Sequence, residues 1–153
     1  MRYFGVLALF ALFPPAAPES LPEPWKALRD AKGACQIMVP GAWDSSSDRA
    51  GFAVLRDSPA VAVVTSQPGQ AFQPLPEALL KMLGIPKERV FENSAKRVFY
   101  QDKAAATSAD TTKAFSAMVP GKAGACSSRV VFPPEVPEDT ARKIVLSLGP
   151  APE

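Results

Sequence analysis

The sequence predicts an α+β fold: a mostly antiparallel sheet of about six strands, packed with two or three helices and closed by one intramolecular disulfide. Three observations carry that expectation. Several short segments alternate apolar and polar residues with a period of two, the pattern of half-buried strands. The segment after Pro137 instead spaces Ala141, Ile144, Val145 and Leu148 along one face of a helix. Two cysteines, Cys35 and Cys126, share faces with the apolar residues of the first and last strong strand patterns.

At the N-terminal end, Arg2 precedes an uncharged apolar run over residues 3–13, followed by Pro14, Pro15, Ala16 and Ala17. That layout predicts a signal peptide over residues 1–17 and a secreted or periplasmic location. Prolines flank both candidate cleavage positions, so the cut itself stays open. The run falls short of the roughly 20 residues that span a bilayer, which argues against a permanent membrane anchor. Cys35 lies far beyond it and follows Lys32-Gly33-Ala34, so a lipid-anchoring motif is not indicated. Residues 18–153 have the length of a single α+β domain, with a core over about 35–148. Without Arg2 the chain carries 16 basic and 15 acidic side chains, with neither sign clustered. A nucleic-acid partner is not expected, because no basic stripe exists to neutralise phosphates.

The elements follow in order. Ser20 and Glu23 have capping-box spacing, and Trp25, Leu28 and Ala31 recur at helical intervals before Gly33. This predicts a short helix over residues 23–32, with Trp25 anchoring it to a sheet. Cys35, Ile37 and Val39 alternate in a strand that stops at Pro40-Gly41. Trp43 comes next, and residues 44–48 read as a polar, serine-rich loop. Residues 51–56 and 60–66 form a predicted hairpin around Asp57-Ser58-Pro59. The nearly continuous apolar run 61–64 predicts a central strand covered on both faces. Residues 67–76 are a proline-rich connector, and Pro76 opens a helix striped by Leu79, Leu80 and Leu83 and stopped by Gly84. Residues 89–92 suggest a short edge strand, and 96–103 a longer one. A flexible tip over 104–109 leads into a return strand over 111–119. After a turn at 120–124, residues 125–132 place Cys126, Ser128, Val130 and Phe132 on one side. Pro137 opens the last helix with Glu138 and Asp139 in its first turn, and Gly149-Pro150 ends it. Met-Val-Pro-Gly occurs at 38–41 and again at 118–121, and is read as two strands that end alike.

Pairing of Cys35 with Cys126 as a structural disulfide is the expected state, with two free buried thiols or redox or metal chemistry as the alternatives. A C-x-x-C spacing is absent, and two thiolates alone do not make a zinc site. The chain contains no histidine, which excludes Ser-His-Asp and Cys-His catalysis. The remaining catalytic candidates are a Ser-Lys dyad drawn from Ser45, Ser46, Ser47, Ser94 and Lys96, or a carboxylate site among Asp44, Asp48 and Asp57. Solvated turn and loop residues are the preferred reading of both groups. Gly121 and Gly124 border a strand turn and lack the lysine and serine of a phosphate-binding loop. No catalytic, metal or cofactor site is therefore read. Trp43, Phe52, Phe72, Phe91, Phe99 and Tyr100 give a mild signal for a binding surface.

The stretch Ile37-Met38-Val39-Pro40-Gly41-Ala42-Trp43, followed by the apolar hairpin at 51–56, resembles the entry to PsbP-like domains. These are related to the extrinsic photosystem II protein and to many exported bacterial proteins. The resemblance covers about 35–148 and implies an α/β sandwich and an accessory or assembly role without shared catalytic residues. The expected function is thus that of an exported, non-catalytic accessory or binding protein for an unknown protein partner or small ligand. An envelope hydrolase with a Ser-Lys or carboxylate site, and a carrier of a small apolar ligand, are the rivals.

Overall fold

A computed structural model of the chain describes residues 24–103 and 111–153. Its first half contains β1 (Trp25–Arg29), β2 (Cys35–Pro40), β3 (Trp43–Ser45), β4 (Phe52–Leu55), β5 (Val61–Pro68) and α1 (Glu77–Leu83). After a 3-10 turn at Lys87–Arg89 come β6 (Val90–Asn93), β7 (Val98–Asp102), β8 (Lys113–Pro120), β9 (Gly124–Phe132), α2 (Glu138–Leu146) and β10 (Gly149–Pro150). The predicted signal peptide, the capping residues Ser20 and Glu23, and the expected tip at 104–109 lie outside the described residues.

The strands form two antiparallel sheets. One has three strands in the order β1-β2-β10, and the other has seven in the order β3-β4-β5-β9-β8-β7-β6. With ten strands and two helices among the described residues, the protein is richer in sheet than the sequence predicts. The two most apolar patterns pair at the centre, Ala62 opposite Val130 and Val64 opposite Ser128. The predicted 51–66 hairpin is present as β4 and β5, and the short strand near residue 90 lies at the sheet edge as expected.

Three expectations are corrected. Residues 25–29 form a strand paired with β2, with Leu28 opposite Ile37, in place of the helix read over 23–32. Gly33, read there as a helix stop, has φ +65° in a β-turn; both structures demand a left-handed residue, so the glycine does not distinguish them. The side chain of Asp30 fixes the turn by accepting hydrogen bonds from the backbone N–H of Cys35 (2.8 Å) and Lys32 (3.2 Å). Next, Asp44 and Ser45 belong to β3 and pair with Val54 and Ala53, where a loop was read. Finally, β5 is internal but covered fully on one face only: Ala62 and Val64 are buried, while Val61 and Val63 are half-buried.

The core lies between the two sheets. Cys35, Ile37 and Val39 of β2 are buried there with Ala53, Ala62, Val64, Phe115, Ala117 and Val130 of the large sheet. α2 packs on β2, β8 and β9, burying Ala141, Ile144 and Val145. Ser147, at its C-terminal end, accepts a hydrogen bond from the N–H of Met38 (2.7 Å) and donates to the carbonyl of Ile144 (2.6 Å). The helix and the small sheet thus cover the same face of the large sheet. Cys35 and Cys126 form the disulfide, with their Cα atoms 5.7 Å apart. The bond joins one sheet to the other across the core, because β2 and β9 face each other and are not ladder neighbours.

Candidate functional site

Strand alternation sends every second residue of the large sheet away from the core. The registers align these outward residues in rows: Val63, Arg129, Ser116 and Tyr100 in one, and Thr65, Ser127, Met118 and Val98 in the next. The connector between β5 and α1 runs over this outer face. Its start is tied by the N–H of Gly69 to the carbonyl of Ala123 (3.0 Å). Near its end, the Asn93 side chain of β6 accepts from the N–H of Leu75 and donates to the Leu75 carbonyl, both at 2.9 Å.

Between connector and sheet lies an open cleft of about 510 Å³. Gln67, Gln70 and Gln73 line it together with the apolar residues Phe72, Leu75, Leu79 and Met118. Among the described residues, no ionisable side chain lines this cleft. Gly124 sits at its β9 end, where an added Cβ would collide with the carbonyl oxygen of Gln67. A second cleft of about 240 Å³ adjoins the first, since Gln67 and Met118 line both. Thr65 and Ser127 are joined there by a hydroxyl hydrogen bond of 2.6 Å.

Among the described residues, charge enters at the Arg129 end of the second cleft. Arg129 donates to the carbonyl of Lys103 (2.7 Å) and places its Nε 3.7 Å from Asp102, too long for a hydrogen bond. Ser116 donates to Asp102 at 3.4 Å. Burial pushes the phenol of Tyr100 above its ordinary value and Asp102 adds to the effect, while a hydrogen bond with Ser116 and the charge of Arg129 oppose it. The hydroxyl therefore remains protonated and able to donate at neutral pH.

The serines and carboxylates considered for catalysis serve as turn and surface groups. Ser94 accepts from the N–H of Lys96 (3.2 Å) and Arg97 (3.3 Å) and donates to Glu92 (3.2 Å), which closes the β6–β7 turn. Ser46 accepts from the N–H of Arg49, and Ser47 donates to Asp48; Ser45 is exposed on β3. Asp44 pairs with exposed Arg56 at 3.3 Å, and Asp57 occupies the β4–β5 turn with φ 59°. Among the described residues, no hydrogen bond joins a serine hydroxyl to a lysine amine or links two of these carboxylates, and no group of three metal-binding side chains is assembled. No described helix is long and apolar enough to cross a membrane.

The aromatic residues divide between the two faces. Trp43 and Phe99 are buried, and Phe99 packs at a tilt on Phe91 (4.8 Å) and edge-on against Phe115 (5.7 Å). Arg142 of α2 lies over the Phe91 ring at 4.4 Å. Phe52 is half-buried beside Arg49. Phe72 and Tyr100 are the two that reach the clefts. Sequence reading missed Gln67, Gln70, Gln73, Met118 and Arg129; the threefold repeat of glutamine in the connector was the available signal. Comparison of the sequence with protein-family models and with curated proteins gives no match.

Proposed function

We propose that this protein is an exported, non-catalytic binding module whose ligand occupies the cleft between the 69–76 connector and the outer face of the large sheet. The presence of Gln67, Gln70 and Gln73 together in the lining of an uncharged cleft carries the proposal. Each amide offers donors and an acceptor, so the three together suit a neutral ligand rich in hydrogen-bonding groups. Phe72 and Met118 add apolar contact area beside them. The disulfide supports work in an oxidising compartment. An accessory role of this kind agrees with the PsbP-like resemblance, which we retain as part of the proposal.

Site-specific photo-cross-linking in the exporting cell tests it. A benzoylphenylalanine replacing Phe72 in the full chain is expected to give discrete adducts, absent when the same group replaces exposed Val54 on β4. Equal labelling from both positions, or none from position 72, would remove the cleft from consideration.

A further inference from the structure

We infer that the second cleft is a binding site for a small oxyanion, a carboxylate or a phosphate group. The inference goes beyond the reading of the first cleft and stands without it. Among the described residues, Arg129 is the one charged side chain lining this space of about 240 Å³. Thr65, Gln67 and Ser127 bring uncharged hydrogen-bonding groups to the same lining. The registers set these residues close together on the outer face. Arg129 and Ser127 are neighbours on that face of β9, about 7 Å apart along the strand. Thr65 is the β5 partner of Ser127, about 5 Å across the ladder, and Gln67 follows one outward position later.

Donors are left over in this frame. A guanidinium carries five N–H groups and no acceptor. Arg129 gives one to the Lys103 carbonyl (2.7 Å), and its buried Nε has no hydrogen-bond partner among the described residues. The side chain as a whole is 42% exposed, so small solutes reach it. Thr65 and Ser127 share one hydrogen bond between two hydroxyls, which leaves one proton to donate. The carboxylate beside Arg129 does not line the cleft: Asp102 is opposite Ala114, in the row on the other side of Arg129 from Ser127. An oxyanion answers both the charge and the remaining donors, because it accepts several charge-assisted hydrogen bonds at once. A cation would be repelled by Arg129, and a neutral ligand would leave its charge unanswered on the cleft side. Partial neutralisation by Asp102 sets the expected Kd on the order of 1–10 mM.

The test is an NMR titration of the ¹⁵N-labelled full chain at neutral pH and constant ionic strength. The probes are acetate, inorganic phosphate and acetamide, the uncharged counterpart of acetate. At least one anion is expected to shift the amide signals of Ser127 and Arg129 saturably, and acetamide is not. The anion that binds more tightly identifies the source of the oxyanion. Arg129→Gln should weaken binding by about tenfold and Ser127→Ala by about threefold. The comparison of anions with acetamide needs no variant, so it decides the matter even where a variant fails to fold. Equal responses to acetate, phosphate and acetamide overturn the inference. An anion response of the same size around exposed Arg56 also overturns it, as general attraction to surface cations. So does the absence of saturation with every probe, or wild-type affinity in folded Arg129→Gln. None of these results bears on the first cleft, which the adducts from position 72 decide.

Discussion

At Asp30 a single carboxylate closes the β1–β2 turn and also reaches the other sheet, accepting a hydrogen bond from Ser66 of β5 at 2.6 Å. Ser66 is paired in register with Cys126, so this link lies beside the disulfide. Burial alone would raise the pKa of Asp30. The Ser66 hydroxyl and the backbone N–H groups of Cys35, Lys32 and Ala34 outweigh it and hold the pKa below the ordinary 3.8. A carboxylate depressed in the folded state contributes stability that is complete above its unfolded value and is lost as pH falls through the folded one. Asp30→Asn should therefore cost about 1–3 kcal/mol near pH 7, because buried donors lose a charged acceptor. The gap between variant and wild type should narrow below about pH 3.8. Thermal unfolding of both proteins across that range checks the sign, and a gap that widens in acid would refute this account. Asp30 was illegible in the sequence because its partners are a turn backbone and a serine 36 residues away. Nothing in Lys-Ala-Leu-Arg-Asp distinguishes it from a helical surface residue.

The two helices differ in how much tertiary structure supports them. On α2 the predicted stripe is realised: Ala141, Ile144 and Val145 are fully buried against both sheets. On α1 only Leu80 is buried, Leu79 is half-buried, and Leu83 and Met82 are 48% and 77% exposed. Ile144→Ala should destabilise the protein by about 2–5 kcal/mol, and Leu83→Ala by at most about 0.5 kcal/mol. Denaturant unfolding separates these outcomes, and comparable losses would mean that α1 packs more tightly than described. Both helices were legible from their proline starts and apolar spacing, and the central strands from their alternation. The misread elements share one cause. β1 and β3 are short, at five and three residues, and take their form from strands they border. For β1 the unpaired edge of β2 outweighed a weak local helical pattern, since a ladder satisfies backbone groups that an isolated turn or two of helix leaves open. The cleft was legible only in part. The glutamine spacing is visible in the chain, but its meeting with Met118 and Ala125 depends on a connector that passes over β8 and β9.

Across the whole molecule, two sheets enclose one core, and the proposed binding surface lies on the opposite side of the larger sheet. The disulfide and the candidate cleft should therefore be separable. Closing 91 residues of chain contributes at most about 4–5 kcal/mol through the restricted unfolded state. Reduction, or the paired replacement of Cys35 and Cys126 by serine, should lower the denaturant midpoint by a corresponding amount. The folded arrangement has other supports: β10 pairs with Gln36 and Cys35, Ala151 donates to the Ala34 carbonyl at 2.9 Å, and α2 bridges β2 to β8 and β9. Below the lowered midpoint, a folded population should persist and retain the Phe72 adducts, because the connector is held by Ala123 and Asn93 and not by the core. Measuring cross-linking yield and unfolding midpoint together distinguishes the cases. Parallel loss of both while the protein remains folded would show that the link between the sheets also shapes the outer face, and that the two sides of the large sheet are coupled.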